Sequence, residues 1–356
     1  MGSHSDSWRK SRLRPALGQL KPYVAGKGFG EISRKYGVAM EDIIKLGSNE
    51  NPYGPSPRVK EAIAAISPER YPEPEELIAG ISRYTGFPED MIVIGAGMDG
   101  VMDTLTRLFL EKGDCTFIPT PTFSYYEILT ITAGATPIFS QRSPDFALSE
   151  DLPARAKMAF LCSPNNPTGN VIRQEEVCRI LESTDAILFL DEAYVEFAEK
   201  SLIKLVERYD NLIVGRTLSK AFGLAGMRLG YALAPPWIAE QYRRAAPPFY
   251  GITCASAAAG SAALSDLPFM RGSVEKIVRE RQRLQKEVSA LPSEANFLYL
   301  QTEQPSSQFV ERFLEKGIII RDCRSFWGAG EHHVRVTVGT PSENDRFLLA
   351  FREICG

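Results

Sequence analysis

Between residues 90 and 235, short apolar runs alternate with longer segments of helical period, and few folds accept such a pattern. The runs contain almost no alternation of apolar and polar residues, which is typical of strands buried on both faces. Strands followed by helices predict an α/β fold, with a mostly parallel sheet flanked by helices. The predicted strands are 91–94, 115–118, 136–139, 158–162, 186–190, 211–215 and 231–234, and the predicted helices are 99–110 and 123–133.

The last third of the chain has a different pattern, which predicts a smaller α+β region. Its first helix carries an apolar stripe on a charged background. The final helix should begin at a capping box of Thr340 and Glu343, with Pro341 at its first position. The elements expected here are a helix (274–291), a strand (297–301), a helix (307–316), strands (318–321 and 334–338) and the final helix.

The length of the chain, 356 residues, is more than one small core requires. We therefore expect a large domain over residues 46–270 and a small C-terminal α+β domain over residues 271–356. The N-terminal segment, residues 1–45, should pack with the small domain.

Charge and composition narrow the class of partners. A net charge of −3 gives no general attraction to nucleic acid or to an anionic membrane surface. No apolar run is long enough to cross a bilayer, and no signal peptide is recognised at the start. The six cysteines are scattered without a C-x-x-C pair, so we expect reduced thiols and no metal site. These features together predict a cytoplasmic protein.

Lys220 lies in the segment Arg-Thr-Leu-Ser-Lys-Ala-Phe-Gly-Leu-Ala-Gly-Met-Arg, residues 216–228. Two hydroxyl side chains precede the lysine, Thr217 and Ser219, and Arg228 follows it. An amine with two hydroxyls and a guanidinium nearby is suited to hold a phosphorylated aldehyde. The amine can form a Schiff base, while the hydroxyls and the guanidinium bind the phosphate. The segment therefore predicts a covalently held aldehyde cofactor.

The segment Gly-Ala-Gly-Met-Asp-Gly, residues 95–100, matches the dinucleotide-binding pattern G-x-G-x-x-G after a strand. That pattern also requires an acidic residue at the end of the next strand, and the strand at 115–118 runs into Pro-Thr-Pro-Thr instead. A glycine turn at the start of a helix still offers free N–H groups to a phosphate. We interpret the segment as a phosphate cradle and not as a nicotinamide site.

Four further side chains stand near the ends of predicted strands, where open parallel sheets bind ligands. Asp191 follows an apolar run, and a carboxylate beside a pyridine nitrogen keeps that nitrogen protonated. Tyr194 and Asn166 could each donate a hydrogen bond to a phenolic oxygen of such a ring. Phe123 could stack on the ring face.

These residues carry a resemblance to a known family. The sequence resembles the fold-type I pyridoxal-phosphate aminotransferases, in particular the histidinol-phosphate aminotransferase family, over nearly the whole chain. The matching stretches are 20–23, 49–54, 70–74, 163–169, 191–194, 216–228 and 334–340.

The resemblance implies a large pyridoxal-phosphate-binding domain with a mostly parallel seven-stranded sheet. It also implies Lys220 as the Schiff-base lysine, with Asp191, Tyr194, Asn166 and Phe123 around the cofactor ring. The phosphate would be bound by the Gly97 and Met98 amides, Thr217, Ser219 and Arg228. Tyr71 would reach the same phosphate in the neighbouring subunit, so a homodimer is implied.

The family's activity implies transamination of L-histidinol phosphate with 2-oxoglutarate, which serves histidine biosynthesis. Arg335 is similar to the arginine that faces a carboxylate and would serve glutamate and 2-oxoglutarate. By the same resemblance, Tyr23 and Arg321 would bind the substrate phosphate, and Asn49 would line that pocket.

Other functions remain open from the sequence. The pattern Arg-Asp-Cys-Arg-Ser-Phe at 321–326, in a long polar loop, also resembles threonine-phosphate decarboxylases of the same fold. An aminotransferase with broad specificity for aromatic amino acids would use the same Arg335. A non-enzymatic regulator on this fold would need a DNA-binding module, and the roughly 45 residues before the first site motif are too few for one.

Overall fold

The computed structural model of the protein describes residue 8, residues 11–20 and residues 26–355. Its centre is a seven-stranded sheet with the strand order β2-β8-β7-β6-β5-β3-β4. Strand β8 runs antiparallel to both of its neighbours, and the other pairings in this sheet are parallel. The strands are β2 (Ile92–Ala96), β3 (Cys115–Thr120), β4 (Thr136–Gln141), β5 (Ala156–Cys162), β6 (Ile187–Asp191), β7 (Leu212–Thr217) and β8 (Leu229–Leu233).

Both faces of this sheet are covered, as the continuous apolar runs predict. In β5, Ala159 and Leu161 belong to one core cluster, whereas Met158 and Phe160 belong to another on the opposite face. Successive side chains of a strand point to opposite faces, so each face of the strand enters its own core. The helices of this half are α2 (Pro57–Ala64), α3 (Glu75–Thr85), α4 (Gly97–Phe109), α5 (Tyr125–Ala133), α6 (Gln174–Glu182), α7 (Pro236–Ala245) and α8 (Cys254–Leu264), after α1 (Phe29–Tyr36) in the N-terminal segment. The predicted α/β class is confirmed.

The C-terminal part forms a second, antiparallel sheet with the order β11-β12-β9. A separate parallel pair joins β1 in the N-terminal segment to β10. The elements of this part are β1 (Ile44–Lys45), α9 (Leu267–Val288), β9 (Phe297–Gln301), α10 (Ser306–Glu315), β10 (Ile318–Ile319), β11 (Arg321–Asp322), β12 (His333–Thr337) and α11 (Pro341–Cys355). The capping box at the start of α11 is confirmed, because Thr340 N donates to Glu343 Oε2 (2.7 Å) and Glu343 N donates to Thr340 Oγ1 (3.4 Å).

Two predictions for the C-terminal part were wrong in detail. The helix expected at 274–291 begins at Leu267 and ends at Val288, because Pro268 is tolerated in a first turn and Met270 is buried there. The strand expected at 318–321 is divided between two sheets: β10 pairs with β1, and β11 pairs with β12. The other predicted strands and helices lie within two residues of their observed bounds.

The described residues show neither a membrane-spanning helix nor a metal-binding cluster. No helix within residues 8, 11–20 and 26–355 has the length and apolar character needed to cross a membrane. The same residues contain no cluster of three or more His, Cys, Asp or Glu side chains suited to a metal ion. All six cysteines lie in the described ranges, and all are free thiols.

Candidate active site

A cavity of about 240 Å³ lies at the carboxyl ends of β5, β6 and β7, beneath the C-terminal sheet. Parallel strands bring their carboxyl ends to one edge of the sheet, so residues far apart in sequence meet there. The cavity gathers most of the predicted site residues: Asn49, Met98, Phe123, Asn166, Asp191, Tyr194, Thr217, Ser219, Lys220, Arg228, Arg321 and Arg335.

Lys220 follows β7 in an irregular turn and extends its amine into the cavity. Its Nζ donates to the Ser48 carbonyl oxygen (3.3 Å) and lies 5.8 Å from the centre of the Tyr194 ring. Burial and, to a smaller extent, the positive charge of Arg335 lower the pKa of Lys220 to about 8. An amine with this pKa is partly neutral near pH 7 to 8, so it can act as a nucleophile or a base.

Asp191 is the last residue of β6 and is buried. Its Oδ2 accepts a hydrogen bond from the Tyr126 hydroxyl (2.6 Å), and its Oδ1 accepts one from Ala193 N (2.9 Å). Burial raises the pKa of the Asp191 carboxyl to about 6, and the two hydrogen bonds oppose that rise. A buried carboxylate of this kind is suited to face a cationic ring nitrogen.

Tyr194 and Asn166 present hydrogen-bond donors to the same cavity. The Tyr194 hydroxyl accepts from Asn49 Nδ2 (2.9 Å), so its own proton is free to be donated to a third group. Asn49 is fixed in turn by Thr337, whose Oγ1 accepts from Asn49 N (2.9 Å). The Asn166 carbonyl oxygen accepts from Arg335, which leaves the NH₂ group of Asn166 as its donor side.

The predicted phosphate cradle lies at the start of α4. Gly97 has φ +76°, and its N–H already donates to the Arg228 carbonyl oxygen (2.8 Å), so Met98 is the next N–H in line for an anion. A Cβ at Gly230 would lie 2.2 Å from Met98 N, so only glycine permits this approach. Arg228 Nη2 meets Asp99 Oδ2 at 2.7 Å; both side chains are about half exposed, and such a pair is weak enough to open.

Two arginines of the C-terminal sheet also line the cavity. Arg321 on β11 and Arg335 on β12 are direct cross-strand partners, and both are buried. Like charges placed opposite each other are destabilising, and burial adds to that cost. Arg335 donates to the Gly47 carbonyl oxygen (2.8 Å), and Arg321 Nη2 donates to Ser325 Oγ (3.1 Å). The Nε of Arg321 has no hydrogen-bond partner among the described residues. This pair is suited to bind anions.

The structure places Tyr71 away from the cavity of its own chain. Tyr71 is 78% exposed and stacks on Phe249, with ring centres 4.7 Å apart, so it does not line the cavity of this chain. Tyr23 lies outside the described residues.

The sequence reasoning missed several residues that the structure places at the site. Tyr126 contacts Asp191, and its position three residues after Phe123 could have suggested a shared helix face. Phe326 lines the cavity and lies 5.5 Å and 5.9 Å from the guanidinium carbons of Arg321 and Arg335. Its neighbour Trp327 stacks on Phe139 of β4, so the loop at 323–333 closes over the sheet edge. No sequence signal marked either contact.

The donor set fits the phosphorylated aldehyde cofactor that the sequence implies. One side of the cavity offers hydroxyls and a guanidinium to a phosphate, since Thr217, Ser219 and Arg228 all line it. The cavity also offers the buried carboxylate of Asp191, which accepts hydrogen bonds from Tyr126 and from the backbone of Ala193. Lys220 lines the same cavity, half-buried and with a lowered pKa. The residues present therefore match the phosphate, the ring nitrogen and the aldehyde of that group.

Comparisons with known proteins agree with this geometry. Residues 41–351 match the family model described as aminotransferase class I and II. A histidinol-phosphate aminotransferase from Methanosarcina mazei is 45% identical over 356 residues, and the match covers 96% of this chain and 96% of the relative.

Solved structures are similar over the same length. Histidinol-phosphate aminotransferase from Sinorhizobium meliloti, crystallised in complex with pyridoxal-5'-phosphate, aligns with a TM-score of 0.84 at 27% identity and covers 97% of both chains. L-threonine-O-3-phosphate decarboxylase from Porphyromonas gingivalis aligns with a TM-score of 0.79 at 21% identity, covering 88% of this chain and 99% of that one. At that identity the second likeness concerns the fold alone.

Proposed function

The chain belongs to the class I and II aminotransferases, and to the histidinol-phosphate aminotransferases among them, and from this premise we propose that it transfers the amino group of L-histidinol phosphate to 2-oxoglutarate. The products would be imidazole-acetol phosphate and glutamate, a step of histidine biosynthesis. The observation that carries the proposal is the buried Arg321–Arg335 pair beside Lys220, since both substrates are anions and one end of the cavity is built for anions.

As a member of this family the enzyme uses pyridoxal phosphate, and its fold is fold-type I, as expected. When bound, the cofactor supplies an aldehyde that condenses with amines and a pyridine ring that draws electrons from the attached carbon. Asp191 would hold a proton at the ring nitrogen, and Tyr194 and Asn166 would donate to the ring's phenolic oxygen. Phe123 would cover one ring face. The cofactor phosphate would be bound by the Met98 amide at the start of α4 and by Thr217, Ser219 and Arg228. The amide of Gly97, which the sequence also predicted as a phosphate ligand, donates to the Arg228 carbonyl instead, so Gly97 would contribute its left-handed turn.

Lys220 would carry the proton transfer. Its amine would take the proton from the substrate carbon that bears the amino group and would return it to the carbon on the other side of that nitrogen. A pKa of about 8 keeps enough neutral amine for this work near neutral pH. The contacts of Lys220 Nζ with the Ser48 carbonyl oxygen and with the face of the Tyr194 ring hold the amine in position inside the cavity.

The two arginines would divide the substrates between them. Arg321 would bind the phosphate of histidinol phosphate, with Tyr23 as a second contact, and Asn49 would line the same pocket. Arg335 would bind the carboxylate of glutamate or 2-oxoglutarate through its planar guanidinium. Histidinol phosphate has no carboxylate next to its amine, so it would not need the second arginine in the same way.

The active form would be a homodimer in which Tyr71 reaches the cofactor phosphate of the neighbouring subunit. Tyr71 and Phe249 form a stacked, exposed aromatic pair, and aromatic side chains are enriched at protein interfaces. The test is to mix two inactive variants, Lys220→Ala and Tyr71→Ala, and to measure activity after subunit exchange. Recovery of activity in the mixture supports the shared site, and a mixture as inactive as its components contradicts it.

The predicted domain division would place residues 46–270 with the seven-stranded sheet and residues 271–356 with the antiparallel sheet. The pairing of β1 with β10 supports packing of residues 1–45 with the small domain. The boundary falls inside α9, so that helix would connect the two domains. We also propose a cytoplasmic location, which the six free thiols support.

The proposed reaction is tested by its products. The cofactor-loaded protein should form glutamate and imidazole-acetol phosphate in equal amounts from L-histidinol phosphate and 2-oxoglutarate. Release of carbon dioxide from threonine phosphate would instead identify a decarboxylase. Glutamate formation from aromatic amino acids, with no reaction of histidinol phosphate, would identify a broad-specificity aminotransferase.

A further inference from the structure

Tyr126 is a fully buried residue of α5 that has no place in the function proposed so far. Its hydroxyl donates to Asp191 Oδ2 at 2.6 Å, a short distance that is typical of a hydrogen bond to a charged acceptor. The other Asp191 oxygen accepts from the backbone of Ala193. Each carboxylate oxygen therefore has one protein donor, and Tyr126 supplies the side-chain donor.

The same tyrosine also orients the aromatic residue of the cavity. Its ring meets Phe123 edge to face, with centres 5.5 Å apart and planes at 90°. On its other side the ring stacks on Phe160 of β5, with centres 4.8 Å apart and planes at 6°. The ring of Tyr126 is thus fixed between the sheet and Phe123, and its hydroxyl has little freedom to leave Asp191.

We propose that Tyr126 is a positioning residue that joins the carboxylate beneath the cofactor ring to the aromatic side chain on the ring face. This inference rests on the proposed function, because it assigns Asp191 to the ring nitrogen and Phe123 to the ring face. By donating to the ionised carboxylate, Tyr126 keeps Asp191 charged and therefore able to hold a proton on the ring.

The groups around Asp191 make this donor important. Cys162, its register partner on β5, is fully buried, and burial raises the pKa of its thiol, so it contributes no charge. Asp99 on α4 is a second carboxylate whose charge disfavours ionisation of Asp191, whereas Lys220 after β7 favours it. Burial also raises the pKa of Tyr126, so this hydroxyl keeps its proton throughout the working range.

The test compares Tyr126→Phe with Tyr242→Phe in the cofactor-loaded enzyme. Tyr242 is a matched control, because it is equally buried, lies in the same core cluster and donates to the Ile94 carbonyl oxygen (2.8 Å), away from the cavity. Both variants lose one buried hydroxyl and its hydrogen bond, so both should lose similar stability. Only Tyr126→Phe should change the cofactor.

Three readouts are expected to separate the variants. The pKa seen when the bound cofactor's visible absorbance is titrated should rise by about one unit in Tyr126→Phe, because less positive charge on the ring leaves the nearby Lys220 nitrogen more basic. The single-turnover rate with the amine substrate should fall by about 10- to 100-fold, the range of a lost hydrogen bond to a charged group. The apparent dissociation constant for that amine should change by less than about threefold.

The absorbance titration can overturn the proposal. An absorbance titration that is unchanged in Tyr126→Phe, or shifted equally in Tyr242→Phe, overturns the proposal. If Tyr126→Phe does not fold, a fluorinated tyrosine introduced at this one position gives a stronger donor and should shift the titration in the opposite direction; no shift overturns the proposal. The titration needs no amine substrate, so it remains informative even if histidinol phosphate proves not to react.

Discussion

The cavity is lined by two sets of residues, named here the cofactor end and the anion end, and the two sets are built differently. The cofactor end, formed by Met98, Asp191, Thr217, Ser219 and Lys220, lies on strand ends and helix starts of the seven-stranded sheet, and its polar groups largely have protein partners. The anion end, formed by Arg321, Phe326 and Arg335, comes from the C-terminal sheet and holds two like charges opposite each other.

This difference suggests that the cofactor end controls the rate of reaction and that the anion end controls which substrates bind. At the cofactor end the protein fixes proton positions in advance, through the hydrogen bonds to Asp191 and the lowered pKa of Lys220. At the anion end two positive charges lie opposite each other, and the Nε of Arg321 has no partner among the described residues, so an anionic ligand would be stabilised there. Changes at the cofactor end should therefore alter rates, whereas changes at the anion end should alter substrate affinity.

The largest effect is expected for Lys220→Ala. In the proposed mechanism the Lys220 amine supplies both the covalent link to the cofactor and the base, so turnover should fall by at least about a thousandfold. Lys157→Ala is the control, because Lys157 is an exposed lysine of β5 paired with Asp114. Single-turnover kinetics in the two variants decide the point. Retained activity in Lys220→Ala, with an unchanged cofactor spectrum, would show that Lys220 does not take part in the reaction.

The next largest effect is expected for Asp191→Asn. The amide keeps the shape of the side chain but cannot carry the negative charge that is proposed to hold a proton on the cofactor ring, so the rate should fall by about 100- to 1000-fold. Cofactor affinity, measured by equilibrium dialysis, should weaken as well. The control is Asp114→Asn, at an exposed ion pair. A near-normal rate in Asp191→Asn would contradict the role of the charge.

A crossed effect is expected at the anion end. Arg321→Met should reduce kcat/KM for histidinol phosphate by about 10- to 100-fold and change kcat/KM for 2-oxoglutarate by less than about threefold. Arg335→Met should reduce kcat/KM for 2-oxoglutarate by about 10- to 100-fold and change that for histidinol phosphate by less than about threefold. Each variant is therefore the control for the other. The two half-reactions, measured separately, give the comparison. Equal losses for both substrates in both variants would show that the arginines act as one site.

A smaller effect concerns pH and the cofactor-free chain. The folded-state pKa of Lys220, about 8, lies below the value of 10.5 for an exposed lysine, so unfolding takes up a proton between these pH values. Stability should therefore rise as the pH rises from about 8 to about 10.5, and this rise should vanish in Lys220→Met. Urea unfolding across this range measures it. Identical slopes in the two proteins would mean that the lysine is not perturbed.

The smallest effect is expected for Thr340→Ala, which removes the N-cap of α11. The loss should cost about 1 kcal/mol of unfolding free energy and leave both half-reactions unchanged, because the cap lies outside the cavity. Thermal unfolding and steady-state kinetics check the two parts. A changed KM would show that α11 influences the anion end directly.

Much of the fold could be predicted because buried parallel strands have a local signature. The strands of the large sheet were found to within two residues, since each is a short apolar run between turn residues. The helices that were not predicted are α1, α2, α3, α6, α7 and α8. For α8 the physical reason is plain, because its run of alanine, serine and glycine has no apolar stripe. The division between β10 and β11 depends on pairing with β1 and β12, which are distant in sequence, so no local pattern could reveal it.

The cofactor end could be predicted from the sequence more fully than the contacts that depend on tertiary packing. Asp191 and Lys220 follow strands, and their neighbours in sequence already indicate a cofactor. The contact between Tyr126 and Asp191 spans 65 residues, and the arrangement of Phe326 between two arginines depends on how a loop packs. These contacts exist only once the strands and helices have assembled.

The most direct test of this division of labour is a single-turnover comparison of L-histidinol phosphate with unphosphorylated L-histidinol, in the absence of 2-oxoglutarate. The account predicts that both amines convert the cofactor's visible absorbance to that of the pyridoxamine form at similar limiting rates. It also predicts that the unphosphorylated amine needs a far higher concentration, and that Arg321→Met removes most of that difference. Equal affinity for the two amines, or a response only to threonine phosphate or aromatic amino acids, would contradict the account.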